Sequence, residues 1–257
     1  MAHWVRFEHG GKTAIGTLDG DKITVHTGNL FDTPQPSGET VNLSDVSLKA
    51  PCEPTKIIAM WNNFHALAAK LNVAEPAEPL FLLKSVSSIT SPGARVTKPK
   101  NYNGPVVFEG ELGIVIGKTA TAVSEEDALS HVFGYTVVND ITAAATISKD
   151  PTFPQWARAK GHDGFGPFGP SIATDVKPET LVVKTILNGQ ERQNYPISDM
   201  IFSVAKLVSL LSHDMTLYPG DLIECGTSVG VGSMKEPVNE VSIVIEGIGQ
   251  LDNTVEL

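Results

Sequence analysis

The 257 residues, 41% hydrophobic and 19% charged, can bury a sizeable core, either as one large domain or as a small domain leading into a large one. Nineteen Lys and Arg against twenty-nine Asp and Glu give a net charge of -10 with no basic run, which opposes nucleic acid or an anionic membrane surface as a partner. No apolar run approaches the roughly 20 residues that span a bilayer, so a membrane-embedded chain is not expected either.

The start, "MAHWVRFEHGG", lacks a basic segment followed by an apolar stretch, which gives no sign of secretion. Cys52 and Cys225 are too few for a disulfide framework and are not spaced as zinc ligands, so the expected compartment is a reducing cytoplasm. Up to about residue 50, short alternating stretches ("HWVRFE", "KTAIGTLD", "DKITVHT") are separated by Gly-Gly and Asp-Gly, the pattern of hairpins. We read 1–55 as a small β-rich N-terminal region and 56–257 as the main domain. "TPQPSGET", 33–40, reads as a polar loop, "KIIAM" and "LFLLK" as strands, and "NFHALAAKLN" between them as a helix. The turn-rich, basic segment 91–105 reads as a surface loop.

From 106 onward strands dominate: "VVFEGELGIVIG", "VFGYTVVND", "LVVKTILNG", "DLIECG" and "VSIVIEGIGQL". Two helices interrupt them. One starts at Ser124 with Asp127 three residues on, a capping-box spacing; the other covers "SDMIFSVAKLVSLLSH", where Ile201, Val204, Val208 and Leu211 define one apolar face. Many strands with few helices predict a β-rich α+β fold.

Within "VFEGELGIVIGK", Glu109 and Glu111 interrupt an apolar strand two positions apart, a spacing that turns both carboxylates to one face. A solvated strand face is the ordinary explanation. However, two carboxylates in a buried strand are costly without a cation, and oxygen-only ligands favour Mg²⁺, Mn²⁺ or Ca²⁺ over zinc. Asp140, ending "FGYTVVND", is the candidate third ligand. Lys160 and His162 lie in "ARAKGHDGFGPFGP", where the glycines and prolines from Gly164 to Ser171 predict a tightly turned loop; Lys160 is either a plain surface residue or the local cation for an anionic substrate. Such a substrate needs a local cation, because the field of the whole chain repels it. The glycines of "GTSVGVG", 226–232, are not followed by a helical pattern, so a turn carrying backbone amides and Thr227 to a carboxylate fits better than a phosphate loop. His65, in the first helix, is a surface residue or a general base. No Gly-x-Ser-x-Gly elbow occurs.

Taken together, "FEGELGIVIGKTA", "VFGYTVVNDIT", "KGHDGFGPFGP", "NGQERQ" and "LSHDMTLYPGDLIECGTSVGVG" resemble the fumarylacetoacetate hydrolase family from about residue 56 to the C-terminus. The resemblance implies a mixed β-sheet, β-roll core domain after a smaller N-terminal region, a homodimer, and Mg²⁺ or Mn²⁺ held by Glu109, Glu111 and Asp140. It also implies substrate contacts from Lys160, Thr227 and Gly226, and small 2-oxo acids or their enols from aromatic catabolism as substrates. Hydrolysis, decarboxylation and enol-keto isomerisation all run in such families through an enolate stabilised by the cation. The stretch "MIFSVAKLVSLLSHDMTLYPGDLI" resembles most the isomerase/decarboxylase branch acting on hydroxyphenylacetate-derived dioates.

The chain also departs from the family pattern. Family hydrolases and decarboxylases commonly carry Asn-Tyr-x-x-His-x-x-Glu in the first helix, the His and Glu activating water. Here Asn63 and Phe64 match its start, but the His position falls on Leu67 and the Glu position on Lys70. His65 is displaced about 200° around the helix from Leu67 and does not replace it. The Arg-Asp that often follows the metal Asp is replaced by Ala144 and Ala145. Lys160, His162 and Asp163 are the expected catalytic residues, with acid-base groups supplied by His162, Asp163 or another loop, so hydrolysis stays open. A family member that binds metal but has lost catalysis is the alternative expectation.

Overall fold

The Val- and Ile-rich runs pair into three sheets in the computed structural model, which describes residues 1–257. In the largest, the N-terminal strands His3–His9, Lys12–Asp19 and Lys22–Thr27 lead through Gly166–Ala173, Val132–Asn139, Gly110–Ile116 and Leu222–Glu224 to Ile57–Trp61 and the edge strand Leu80–Lys84. The N-terminal region is joined to the rest by backbone pairing, with His3 opposite Ala173 and Trp4 opposite Ile172. Most neighbours are antiparallel, but Leu222–Glu224 runs parallel to Ile57–Trp61, which makes the sheet mixed.

A second sheet of three short strands takes the order Thr142–Ala143, Val106–Phe108, Gly232–Ser233. That order repeats the order of their chain neighbours Val132–Asn139, Gly110–Ile116 and Leu222–Glu224 in the large sheet. Three adjacent strands thus cross from one sheet to the other, at Glu109, at 140–141 and over 225–231. Their ladders break along one line.

The third sheet, of five strands including Val182–Leu187, Gln190–Pro196 and Val238–Ile245, covers the large one. Between the two lie Leu112, Ile114, Val183 and Ile243, joined by Leu207 and Leu211 of the helix Val204–Asp214, all with no exposed surface. Each such side chain contributes roughly 1.5–3 kcal/mol of burial, which fixes the strand register on one face. The opposite face of Gly110–Ile116 sends Val115 into a second apolar cluster with Ile57, Val138 and Leu222.

Several elements differ from their sequence reading. Segment 33–40 is largely the exposed strand Gln35–Asn42 at the far edge of the large sheet, a position that tolerates Pro36 because its outer side makes no ladder. The single strand expected over "VVFEGELGIVIG" is two strands, because Glu109 leaves one sheet before Gly110 enters the other. The loop expected from Gly164 to Ser171 is mostly the strand Gly166–Ala173, and Arg95–Thr97 is a strand inside the expected loop 91–105. The last long helix begins only at Val204, capped by Ser203, whose hydroxyl accepts from the Lys206 N–H; Ile201 lies before it. The helix at Ser124 has the expected cap, with the Asp127 N–H donating to the Ser124 hydroxyl at 3.1 Å.

Candidate active site

The three sheet crossings place their side chains together. At the first, the Glu109 N–H donates to Asn139 Oδ1 at 3.2 Å, and at the second the Asp140 N–H donates to the Glu109 carbonyl at 2.9 Å. These bonds hold the two breaks side by side. Glu111, inside its strand and opposite Val138, is buried and accepts from the Gly226 N–H at 2.9 Å through Oε2. Gly226 belongs to the third crossing, so the turn 226–232 does bring a backbone amide to a carboxylate, that of the protein itself.

Gly110, between the two glutamates, is fixed from several sides. Its N–H donates to Gln193 Oε1 at 3.0 Å, and its carbonyl accepts from the Thr227 hydroxyl at 3.0 Å and the Tyr195 hydroxyl at 2.5 Å. Gln193 Nε2 in turn donates to Thr227 Oγ1 at 2.8 Å. A Cβ at Gly110 would lie 2.1 Å from Thr185 Oγ1, so only glycine permits this approach of the five-stranded sheet.

Glu109, Glu111 and Asp140 place carboxylate oxygens within 4.8 Å of one another. The Lys160 ammonium, at the end of the helix Trp156–Lys160, donates to Glu109 Oε2 at 2.9 Å, Asp140 Oδ2 at 2.5 Å and Thr142 Oγ1 at 2.8 Å. It is buried, and not a surface lysine. Sequence reasoning missed two partners. Lys84, with no exposed surface, donates to Asp140 Oδ1 at 2.6 Å and to the Phe165 carbonyl at 3.0 Å, and lies 3.5 Å from Glu224 Oε1. Both had a signal, each being a charge that closes or interrupts an apolar strand ("LFLLK", "DLIECG") just as Asp140 does.

Four carboxylates (Glu109, Glu111, Asp140, Glu224) therefore meet two ammonium groups (Lys84, Lys160), an excess of two negative charges when all are ionised. The protonation equilibria record this excess. Burial pushes Glu111 well above the usual carboxylate range, with Asp140 and Glu224 adding repulsion. Burial also raises Glu109 against the opposing pull of Lys160, and raises Glu224 to about 7 against that of Lys84. At Asp140 burial is outweighed by Lys160 and Lys84, which hold the carboxyl below its ordinary value. Burial alone would lower Lys160, but Asp140, Glu109 and Glu111 raise it, so it stays protonated.

The residues present fit one divalent cation. Its two charges match the excess, the donors are all oxygen, and Glu111 Oε1 is buried with no hydrogen-bond partner. Because protons compete for Glu109 and Glu111, both raised from the ordinary carboxylate value, affinity for Mn²⁺ should rise as pH increases above the ordinary carboxylate range, with protons released on binding. Titration calorimetry in buffers of different ionisation enthalpy measures both; a pH-independent affinity would count against these ligands.

A cavity of about 350 Å³, within the range of small-molecule sites, opens from Glu109, Thr142, Lys160 and Thr227. Trp61 and Trp156, their ring centroids 5.7 Å apart, form part of its wall. Leu67, Lys70 and Ala144 also line it, so three of the four departures from the family pattern face the cavity, and Ala145 does not. His65 points elsewhere, pairing with Glu75 at 2.6 Å on the surface. His162 and Asp163 do not line the cavity: His162 packs edge-on against Phe165, its buried Nε2 without a partner, and burial lowers its basicity, while Asp163 is exposed.

A β-rich domain with a buried acidic cluster at a broken sheet is the class that fold and site define. Residues 56–256 match the family model described as fumarylacetoacetate (FAA) hydrolase C-terminal, and residues 2–51 that described as Rv2993c-like, N-terminal. The chain belongs to the fumarylacetoacetate hydrolase family. It is 37% identical over 255 residues to oxaloacetate tautomerase YisK of Bacillus subtilis, covering 92% of this chain and 84% of that one. The crystal structure of 2-hydroxyhepta-2,4-diene-1,7-dioate isomerase from Mycobacterium marinum superposes with a TM-score of 0.91 at 37% identity, covering 100% and 98% of the two chains. Maleylpyruvate hydrolase from Sphingobium sp. SYK-6, solved with manganese(II) and pyruvate, gives 0.79 at 28% identity, covering 99% and 98%. No helix is long and apolar enough to cross a membrane.

Proposed function

We propose that the protein is a Mg²⁺- or Mn²⁺-dependent enzyme acting on a 2-oxo or 2-hydroxy-dienoic acid, by enol-keto isomerisation or by C–C cleavage. The observation that carries this reading is the trio of carboxylates Glu109, Glu111 and Asp140, with oxygens within 4.8 Å of one another, beside a cavity of substrate size that Glu109 lines. Glu109, Glu111 and Asp140 would hold the cation, which when bound supplies Lewis acidity to a chelating 2-oxo carboxylate.

The chain's own residues do the rest. Lys160, protonated and fixed by three bonds, is a charge and a hydrogen-bond donor, not a base. The Thr227 hydroxyl already donates to Gly110, so it offers an incoming carboxylate oxygen a donor only by exchanging that bond. Trp61, Trp156 and Leu67 make much of the wall apolar and limit the water beside the reacting carbons. With Leu67 and Lys70 at the dyad positions, that wall lacks the carboxylate-imidazole pair that activates water. Among the reactions named, isomerisation and decarboxylation are favoured over hydrolysis, because neither needs an attacking water, and isomerisation is placed first. The kinship to a tautomerase and an isomerase supports this order.

Incubation with Mn²⁺ and a panel of acylpyruvates, oxaloacetate and unsaturated 2-oxo dioates, followed by mass and ultraviolet spectra, tests it. We expect an unchanged mass with a changed spectrum. Loss of carbon dioxide would identify a decarboxylase, and two fragments summing to substrate plus water a hydrolase. Binding without turnover across the panel would overturn the catalytic reading in favour of a binding protein.

A further inference from the structure

The lining of the cavity carries three formally charged side chains: Glu109, Lys160 and Lys70. Lys160 is committed to Glu109 and Asp140. Lys70 enters no ion pair, and Glu75, five residues on, is taken by His65. Lys70 stands in the last turn of the helix His65–Leu71, three residues after Leu67, so both side chains share the helix face turned to the cavity. The lining also includes apolar Leu71, Ile147, Val231 and the two tryptophans, and the polar but uncharged Asn62, whose amide donates to the Ala74 carbonyl.

We infer that Lys70 reads a second, distal carboxylate of the substrate, so that the site prefers 2-oxo dicarboxylates over 2-oxo monocarboxylates of equal length. The inference rests on the reading of the acidic cluster as the seat of the 2-oxo acid end, which leaves Lys70 as the uncommitted cation for the other end. The net charge of -10 makes this consequential: a dianion approaches against the field of the whole protein, and only a local cation offsets that. An ammonium on a flexible four-carbon stem also accepts carboxylates at several distances, whereas a rigid fork would select one. An ordinary surface lysine would have no effect on which acid binds.

The test is calorimetric, on Mn²⁺-loaded full-length protein. Two matched pairs are compared, 2-oxoglutarate with 2-oxovalerate and 2-oxoadipate with 2-oxohexanoate, and oxalate probes the cluster alone. Wild type should prefer the dicarboxylate in at least one pair. Lys70→Met should lower that preference about three- to fivefold, the scale of one partly solvated ion pair, and Lys70→Glu should lower it further. Lys70→Arg should keep it, and oxalate affinity should stay the same in all four proteins. Added salt should narrow the preference of wild type and leave that of Lys70→Met unchanged. A preference that survives Lys70→Met, or a fall in oxalate affinity by the same factor, overturns the inference. Wild type that binds no oxalate overturns the reading of the cluster itself, and the inference with it.

Discussion

Glu111→Gln is expected to lower turnover at least about a hundredfold, the scale reached even when an outer partner of a metal ligand is lost, and to leave the fold intact. Glutamine keeps an oxygen for the Gly226 N–H, so the bond that ties the third crossing to the strand survives. What disappears is one of the four carboxylates that create the charge excess, and with it the buried oxygen that has no partner. Metal content after dialysis, circular dichroism and activity on the substrate found in the panel give three separate readouts. A variant with full activity and one Mn²⁺ per chain would show that the cation, if any, is held elsewhere.

Lys84→Met should have the largest effect on stability. The ammonium is fully enclosed, and its removal leaves Glu224 with no ion-pair partner and Asp140 with Lys160 alone. Breaking a buried pair from one side costs about 3–5 kcal/mol, which for a chain of this size corresponds to a melting temperature lower by roughly 10 °C. The double variant Lys84→Met with Glu224→Gln should recover part of the loss, because it also removes one of the stranded charges. Thermal melts of the four proteins measure the coupling. Strictly additive losses would mean that Lys84 and Glu224 do not act on each other.

The same pair shows how far the sequence could be read. Glu109, Glu111 and Asp140 stood out because each interrupts or ends an apolar strand, and the structure brings all three within 4.8 Å. Lys84 and Glu224 carried an identical signal and were passed over, since one charge at the end of a strand usually faces water, and nothing local says that two strands distant in sequence will run side by side. Leu222–Glu224 and Ile57–Trp61 pair in parallel, and Leu80–Lys84 lies beyond them; this is long-range information that no window contains. The break at Glu109 was hidden for a different reason. Val, Phe, Gly and Leu around it suit a strand equally well on either side, so only the pairing partners reveal that Val106–Phe108 and Gly110–Ile116 belong to different sheets. The edge strand Gln35–Asn42 looks like a loop in the sequence because Pro and Gly are punctuation in most contexts, yet an edge tolerates them.

The aligned break through three neighbouring strands also bears on how this site can change over time. Glu111 is held in a two-residue alternation, whereas Glu109 and Asp140 sit at the points where that alternation stops. Inserting or deleting one residue in Gly110–Ile116 would turn Glu111 to the opposite face while its neighbours across the break kept their places. Lineages descending from such a chain are therefore free to exchange wall residues such as Leu67 and Lys70, and with them the chemistry, but not to alter the length of the segment between the crossings. Replacement of wall residues at constant spacing leaves the cluster in place, whereas a change of length does not.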